Sequence, residues 1–443
     1  MNTTPHRKRS GCEPQGAVMG KRQMSARPAG RQWGLISVCV SLPLFAARGQ
    51  DALFNAISLD QTVAAQANTV APQPDQPHLG PVQLSLAAYY GVSYNDNING
   101  SANQPEADVI LQPGVNVGFN WPATDRSNLQ FATGLGYVHY IKYTANNGMV
   151  VTPGTALTYA LSWNDVVITL YDQLSYTRQV TSEAALANVA ALPEFDNVVG
   201  ARLGWNPGHW TFQAGYGHDI YLSDGAHDYL NRAAEDFFGR AGWRFAEATQ
   251  AGLEASGSLT DYQVESQGTA NSVSAGGYVE WQALQSFNLT LRGGPTVYQF
   301  SAPAQNGGNS SLNSYYASLA ANQQLTDFLS HSLQVNRTVQ LGVNQGSSYI
   351  EQLSVGYLVS WALTQRISLG ATITYDDGRQ PLGLFPFQTI EKFQLYGGGL
   401  QASWRFTDHL TGSLGYNHWL RNSNLSNRGY SANSESLQLN YTF

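Results

Sequence analysis

The spacing of tryptophans constrains this chain more than any other feature. Trp121, Trp163, Trp205, Trp243, Trp281, Trp361 and Trp404 follow one another at intervals of 42, 42, 38, 38, 80 and 43 residues. The interval of 80 is two units of 40 with Leu325 in the intervening place, and the terminal Phe443 lies 39 residues after Trp404. A fixed period near 40 residues means that one supersecondary unit is repeated. Within the units the apolar residues alternate: Leu84, Leu86, Ala88, Tyr90, Val92 and Tyr94 interleave with Gln83, Ser85, Ala87, Tyr89, Gly91 and Ser93. The same period of two recurs at Leu129 to Tyr137, Val355 to Trp361 and Ile367 to Tyr375. That is the signature of half-apolar β-strands, and no segment shows comparable helical periodicity.

Each tryptophan closes a strand and precedes a short turn, as in Trp163-Asn164-Asp165 and Trp205-Asn206-Pro207-Gly208. The other strand ends open into longer polar stretches: Asn95 to Ala107, Gln179 to Phe195, Ser301 to Leu312, Asp377 to Ile390 and Asn422 to Asn433. Nine hairpins across residues 82–443 give 18 strands, or 16 if one hairpin is misread, with both termini on the short-turn side. The fold this predicts is an all-β antiparallel transmembrane β-barrel with short periplasmic turns and longer external loops. Trp121, Trp163, Trp205, Trp243, Trp281, Trp361, Trp404 and Phe443 are its expected membrane-interface girdle, because an amphipathic ring sits best where headgroups meet hydrocarbon. A WD-repeat propeller has the same period, but its Gly-His and Trp-Asp signatures are absent apart from isolated matches such as Gly217-His218.

Composition agrees. Only 12% of residues are charged, against roughly 25% in soluble domains, which argues against an ordinary cytosolic enzyme. A mean hydropathy below zero excludes a helical membrane protein. Residues 1–49 read as a secretory signal peptide: seven basic residues from Arg7 to Arg31, then an apolar run from Gly34 to Ala47 that is too short to span a bilayer. Translation from Met24 would give a leader of more ordinary length. Cleavage is expected near Ala47-Arg48-Gly49, with Ala65-Gln66-Ala67 as a second candidate. Residues 50–81, with Pro72, Pro74, Pro77 and Pro81, read as a periplasmic linker. Removing residues 1–49 leaves 15 basic and 29 acidic residues, a net charge of −14. Such a chain is a poor partner for nucleic acid. Cys12 and Cys39 leave with the leader, so no disulfide, thiolate nucleophile or cysteine metal site is expected.

Parity separates the two faces of the barrel. Residues in the tryptophan register face lipid, and Arg202, Arg240, Arg244, Glu254, Glu280, Arg292, Arg366 and Arg405 fall on the other face as expected pore-lining charges. An arginine facing lipid at mid-depth costs about 2–4 kcal/mol, so an interior position is the comfortable one. These charges either pair with one another to fill the lumen or, through Arg240, Arg244 and Arg292 facing Glu254 and Glu280, set up a transverse field that selects solutes. Asp172, His139 and Arg337 violate the register, which a bulge or a position near the rim would explain. His218-Asp219 and His227-Asp228 are not accompanied by a Gly-x-Ser-x-Gly elbow or a zinc-spaced histidine pair, so a solvated loop is expected there, with no catalytic residues, no metal and no cofactor. The Gln179 to Phe195 loop carries Ala184-Ala185-Leu186-Ala187 and Val189-Ala190-Ala191-Leu192, apolar for a solvated loop, and is expected to fold into the lumen as a constriction.

The run Ser93-Tyr94-Asn95-Asp96-Asn97-Ile98, followed by Asp108, Pro113 and the tyrosine-rich Leu135-Gly136-Tyr137-Val138-His139-Tyr140, resembles the β-barrel porin 2 family of bacterial outer-membrane proteins. The resemblance implies an outer-membrane barrel without an assigned catalytic activity; some members accompany exopolysaccharide systems. The expected function is a porin-like channel of the bacterial outer membrane for passive diffusion of small polar solutes. The alternatives are an exopolysaccharide-associated barrel, in which Tyr278, Tyr316 and Trp419 would stack on sugar rings, and a non-conducting surface barrel that binds a partner through its loops. Expected partners are outer-membrane lipid, small polar solutes or saccharides, and the insertion machinery, which would read the final strand Leu437, Leu439, Tyr441, Phe443. An oligomer such as a porin trimer is compatible with the fold, and no subunit face distinct from the lipid face is identifiable.

Overall fold

The computed structural model describes residues 77–178, 183–264, 267–301, 310–383 and 389–443. The leader and nearly all of the linker expected from the sequence lie outside these residues. A two-residue strand, β1 (His78–Leu79), precedes β2 (Val82–Asn95), β3 (Asp108–Thr124), β4 (Ser127–Tyr140), β5 (Gly148–Trp163), β6 (Val166–Thr177) and β7 (Glu194–Trp205). The chain continues through β8 (Trp210–Ser223), β9 (Arg232–Ala246), β10 (Thr249–Tyr262), β11 (Thr269–Leu284), β12 (Phe287–Ser301) and β13 (Ser310–Thr326). It ends with β14 (Leu329–Leu341), β15 (Tyr349–Ala362), β16 (Ile367–Leu382), β17 (Thr389–Arg405), β18 (Leu410–Ser423) and β19 (Tyr430–Thr442). Each of β2 to β19 pairs antiparallel with its sequence neighbours, and β19 pairs antiparallel with β2, which closes an 18-stranded barrel.

Alternation in the sequence becomes the two faces of the wall. On β2 and β3 the pairs Leu84↔Phe119, Leu86↔Val117 and Ala88↔Val115 share the outer face, where Leu86, Val115 and Val117 are exposed. Tyr89 faces inward, and its ring lies across Gly114 and Gly136; a Cβ on Gly114 would stand 2.2 Å from that ring, so only glycine admits it. The connections on one side are two to four residues long, with Asn164 and Gly208 in the left-handed conformation that such tight turns require. Those on the other side are six to sixteen residues long.

The seven repeated tryptophans end β3, β5, β7, β9, β11, β15 and β17 on the short-turn side, Leu325 takes the equivalent place in β13, and Phe443 follows β19. All but Trp243 among these rings are exposed on the outer face; Trp243 is half-buried because Trp210 packs edge-on against it, with centroids 4.7 Å apart. A second aromatic belt, made of exposed tyrosines that include Tyr94, Tyr216, Tyr315, Tyr396 and Tyr416, stands nearer the long loops. Between the belts the outer face is apolar, with Leu203, Leu253, Ile373 and Leu400 exposed. A water-soluble barrel would hide this band, and a membrane-spanning one needs it. No helix among the described residues is long and apolar enough to cross a membrane, a statement that does not bear on strands.

Two loop boundaries differ from the sequence expectation. The stretch Asp377 to Ile390 is strand as far as Leu382 and again from Thr389, and Asn422 to Asn433 is strand at both ends. The polar residues there are paired strand residues on a charged inner face and an interfacial outer face, which hydrophilicity alone does not distinguish from loop.

Candidate channel lumen and its mouth

The inner wall of β9 to β13 carries a compact charge network. Glu254 stands directly opposite Arg240 across the β9/β10 ladder, and Arg292 directly opposite Tyr278 across β11/β12. Arg292 Nε donates to both carboxylate oxygens of Glu254, at 3.1 and 3.0 Å, and Nη2 donates to Oε2 at 2.9 Å. Tyr316 donates its hydroxyl to Glu254 Oε1 at 2.8 Å. Arg240 lies with its guanidinium 3.6 Å from the centre of the Tyr278 ring and donates to Glu280 Oε1 at 2.5 Å. Gln250 completes the layer by donating to the Tyr278 hydroxyl and to Thr211. Glu254 and Arg292 are buried, and two arginines balance two glutamates. Among the sequence-derived pore-lining residues the structure therefore brings together Arg240, Glu254, Glu280 and Arg292.

The remaining four stand apart from that layer. Arg202 is half-buried on β7, facing inward between Thr169 and Gly215. Arg244 and Arg405 are half-buried at the short-turn ends of β9 and β17. Arg366 departs from the expectation: it lies in the exposed turn between β15 and β16, because β15 ends at Ala362 and β16 does not begin until Ile367. Inside a turn, parity with the tryptophan register no longer fixes a face.

The external mouth holds what parity did not reveal. The described part of the β6/β7 loop, from Glu183, turns into the barrel, and Ala184, Ala185, Leu186 and Leu192 pack with Tyr221, Leu230, Val343, Ile350, Phe393 and Leu395. Tyr221, Phe393 and Leu395 are inward residues of β8 and β17. Four polar side chains hold the crossing segment by its backbone. Arg421 Nε donates to the Ala184 carbonyl at 2.8 Å, and Asn344, Gln380 and Arg428 all donate to the Ala185 carbonyl at 2.9 to 3.0 Å. Behind them stands Glu391, whose Oε1 accepts from Arg421, Arg428 and Ser423 at 2.7 to 2.9 Å and whose Oε2 accepts from Gln380 at 2.9 Å. Glu391, Gln380 and Arg421 are essentially inaccessible, at 0, 0 and 1% exposure. Farther along, Asn188 adopts a left-handed φ of 62° and bonds across to Gly100 and Asn427, while Ala187 packs on Tyr430 and Ala432. The loop therefore leaves β6 and is fastened to β16–β19 on another part of the wall, in agreement with its apolar sequence; residues 179–182 lie outside the described set.

Two further expectations change. Tyr278 and Tyr316 are buried, one beneath Arg240 and the other pinned to Glu254, and Trp419 packs against the loop. None presents a free ring to a sugar. His218 is in β8 on the outer face, with Nδ1 2.9 Å from Glu235, whereas His227 sits in a 3-10 turn (Gly225–Leu230) of the β8/β9 loop beside Tyr229. The two histidines thus share no cluster, and burial pushes the His227 pKa below the ordinary histidine value. No group of three or more His, Cys, Asp or Glu among the described residues has the arrangement to hold a metal ion.

The off-register residues also find reasons. Asp172 faces outward and accepts from Asn197 at 2.7 Å, and His139 meets Asn147 at the start of a loop. Arg337 is held at a discontinuity of the wall described below.

Closure, an apolar exterior between two aromatic belts and a charged interior define the molecule as a transmembrane β-barrel of the outer-membrane type. No family model matches the chain, and no curated protein matches it. Among solved structures it is similar to OpdK of Pseudomonas aeruginosa with vanillate (11% identity, TM-score 0.45, covering 81% of this chain and 98% of that one). It is similar also to OccK2 (OpdF) of Pseudomonas aeruginosa with glucuronate (11%, 0.46, 83% and 100%) and to OccAB1 of Acinetobacter baumannii (12%, 0.47, 84% and 99%). Vanillate and glucuronate belong to those proteins, and neither carries over to this chain.

Proposed function

We propose that the chain is an outer-membrane channel through which small polar solutes diffuse passively, with the path narrowed at the external mouth by the Glu183–Leu192 segment. The observation that carries this reading is the segment's attachment: an apolar turn drawn into the lumen and fixed through two backbone carbonyls to a buried charged cluster. Barrels of 16–18 strands enclose an aqueous channel unless something fills it. Here the described loop occupies part of the mouth, packed against β8 and β17, and the Arg240, Glu254, Glu280 and Arg292 layer lines the wall on one side. Sieving by width and by lumenal charge is the mechanism that follows, with no catalytic step. In this reading Trp121, Trp163, Trp205, Trp243, Trp281, Trp361, Trp404 and Phe443 anchor the barrel at the periplasmic interface, and the outward residues Leu437, Leu439, Tyr441 and Phe443 form the signal for insertion. The resemblance to the β-barrel porin 2 family supports the same placement.

A second reading, a barrel too well plugged to conduct, is favoured by the density of bonds on Ala185. Single-channel recording of the refolded protein in planar bilayers separates the two. Stable conductance steps that grow when residues 184–191 are deleted support the channel. A folded but silent protein that begins to conduct only after the deletion supports the plug, and a folded protein silent both before and after it removes the channel reading.

A further inference from the structure

Strand pairing between β13 and β14 stops well short of the long-loop end. The β13/β14 ladder ends at Ala317↔Arg337, and above that pair Ser310–Tyr316 bonds to β12 alone. Arg337 occupies the fork. Its Nη1 donates to Ser314 Oγ at 3.0 Å and to the Tyr315 carbonyl, and its guanidinium lies 3.8 Å from the centre of the Tyr315 ring. Nη2 donates to Glu351 at 3.0 Å, and Arg379 pairs with the other oxygen of that carboxylate. Arg379 is more than half exposed and stands directly opposite Lys392 on the outer face. Two like charges facing each other across a ladder repel. Glu351 already offsets Arg379 on one side, and an anion on the open side of Arg379 would meet Lys392 as well.

The placement of these three cations is not generic. On the described strands, every other Lys or Arg faces inward, and the remaining outward charges near the long-loop ends are acidic: Asp172, Glu235, Asp261, Asp377 and Glu435, of which Asp377 stands two residues from Arg379 and accepts from Gln394 at 3.1 Å. Directly below the fork the wall is thin, because Gly277, Gly293 and Ala317 stand side by side on β11, β12 and β13. They leave a trough of about 600 Å³ on the outer face, bounded by Leu291, Val335 and Leu353 and topped by Arg337. A long apolar dent capped by clustered cations, on a surface that faces lipid, matches a molecule that is a hydrocarbon chain at one end and an anion at the other.

We propose that this fork and trough bind a phosphorylated, acylated lipid of the outer leaflet, with its phosphate between Arg379 and Lys392 and one acyl chain in the trough below Arg337. The site rests on the barrel fold alone and stands or falls independently of conduction. It is tested by native mass spectrometry of the detergent-purified protein titrated with lipid A, with dephosphorylated lipid A, and with inorganic phosphate as competitor. Two variants are compared with wild type: Arg379→Gln/Lys392→Gln, which removes the anion contact, and Ala317→Leu, which fills the trough without touching a charge. Lipid A adducts are expected to need about tenfold more lipid in either variant, a loss of the order of one charge-assisted contact. Dephosphorylated lipid A binds wild type as weakly as the double variant binds lipid A, and free phosphate does not compete. Equal adducts in wild type and both variants overturn the proposal, as does an equal loss in Lys142→Gln, which lies outside the patch. A protein that buries the trough in an oligomer and carries no lipid overturns it too. If the double variant does not fold, Ala317→Leu and the dephosphorylated lipid still decide.

Discussion

Glu254 and Glu391 have the same chemistry at two depths of the barrel. Each is a buried carboxylate that holds two arginines and a hydroxyl: Arg240, Arg292 and Tyr316 in one case, Arg421, Arg428 and Ser423 in the other. They differ in where the arginines spend their other N–H groups. Around Glu254 they go to wall residues, Glu280 and the face of Tyr278. Around Glu391 they go to the carbonyls of Ala184 and Ala185, on a loop that begins on the far side of the sequence. The first network joins wall strands to one another, and the second fastens a loop to the wall. Buried ion triads are expensive to desolvate and give little net stability, so what a triad is attached to decides what it does.

The largest expected effect comes from breaking either carboxylate. Glu254→Ala leaves buried arginines without a counter-charge and should cost about 3–5 kcal/mol, read as a lower denaturant midpoint for the whole barrel. Its single-channel conductance should stay close to wild type. Glu391→Ala should cost a similar amount locally, but read as loop release: larger and noisier conductance steps with the global unfolding midpoint nearly unmoved. If both variants change conductance alike, the distinction between wall and latch collapses.

A smaller effect sharpens it. Asn344→Ala removes one of three donors to the Ala185 carbonyl, worth about 1 kcal/mol. Loop opening should become more frequent without becoming complete, seen as brief excursions to the Glu391→Ala conductance level. Double-variant cycles between Asn344 and Arg428 should show coupling, since both act on one oxygen.

The contrast between these clusters also shows what the sequence disclosed. Strand number, closure, sidedness and the facing of Arg240, Glu254, Glu280 and Arg292 all follow from two periods, 40 and 2, because hydrogen-bonded strands leave parity no freedom. Glu391 and Arg421 obey the same parity, since each is an odd step from Trp404 or two from inward Trp419. They stand one residue outside the stretches read as loop, Asp377 to Ile390 and Asn422 to Asn433, and are not singled out among the inward charges. Attachment to Ala184 and Ala185 joins residues 159 to 243 apart, a relation that no local pattern encodes. The apolar loop sequence signalled burial without naming its partner. Arg337 looked like an error of register, and its reason lies in where one ladder ends.

The smallest expected effect concerns the residue that parity misplaced. Arg366 sits in an exposed turn at the short-turn rim, where salt screens a charge beyond about 10 Å at 0.1 M ionic strength, so Arg366→Gln should leave the reversal potential in a potassium chloride gradient unchanged. Arg202, inward on β7, lies within the wall where screening is weaker, and Arg202→Gln should shift that potential toward cation preference. Equal shifts from the two would mean that the rim contributes to ion preference as much as the interior; a shift from Arg202 alone would place selectivity in the lumen.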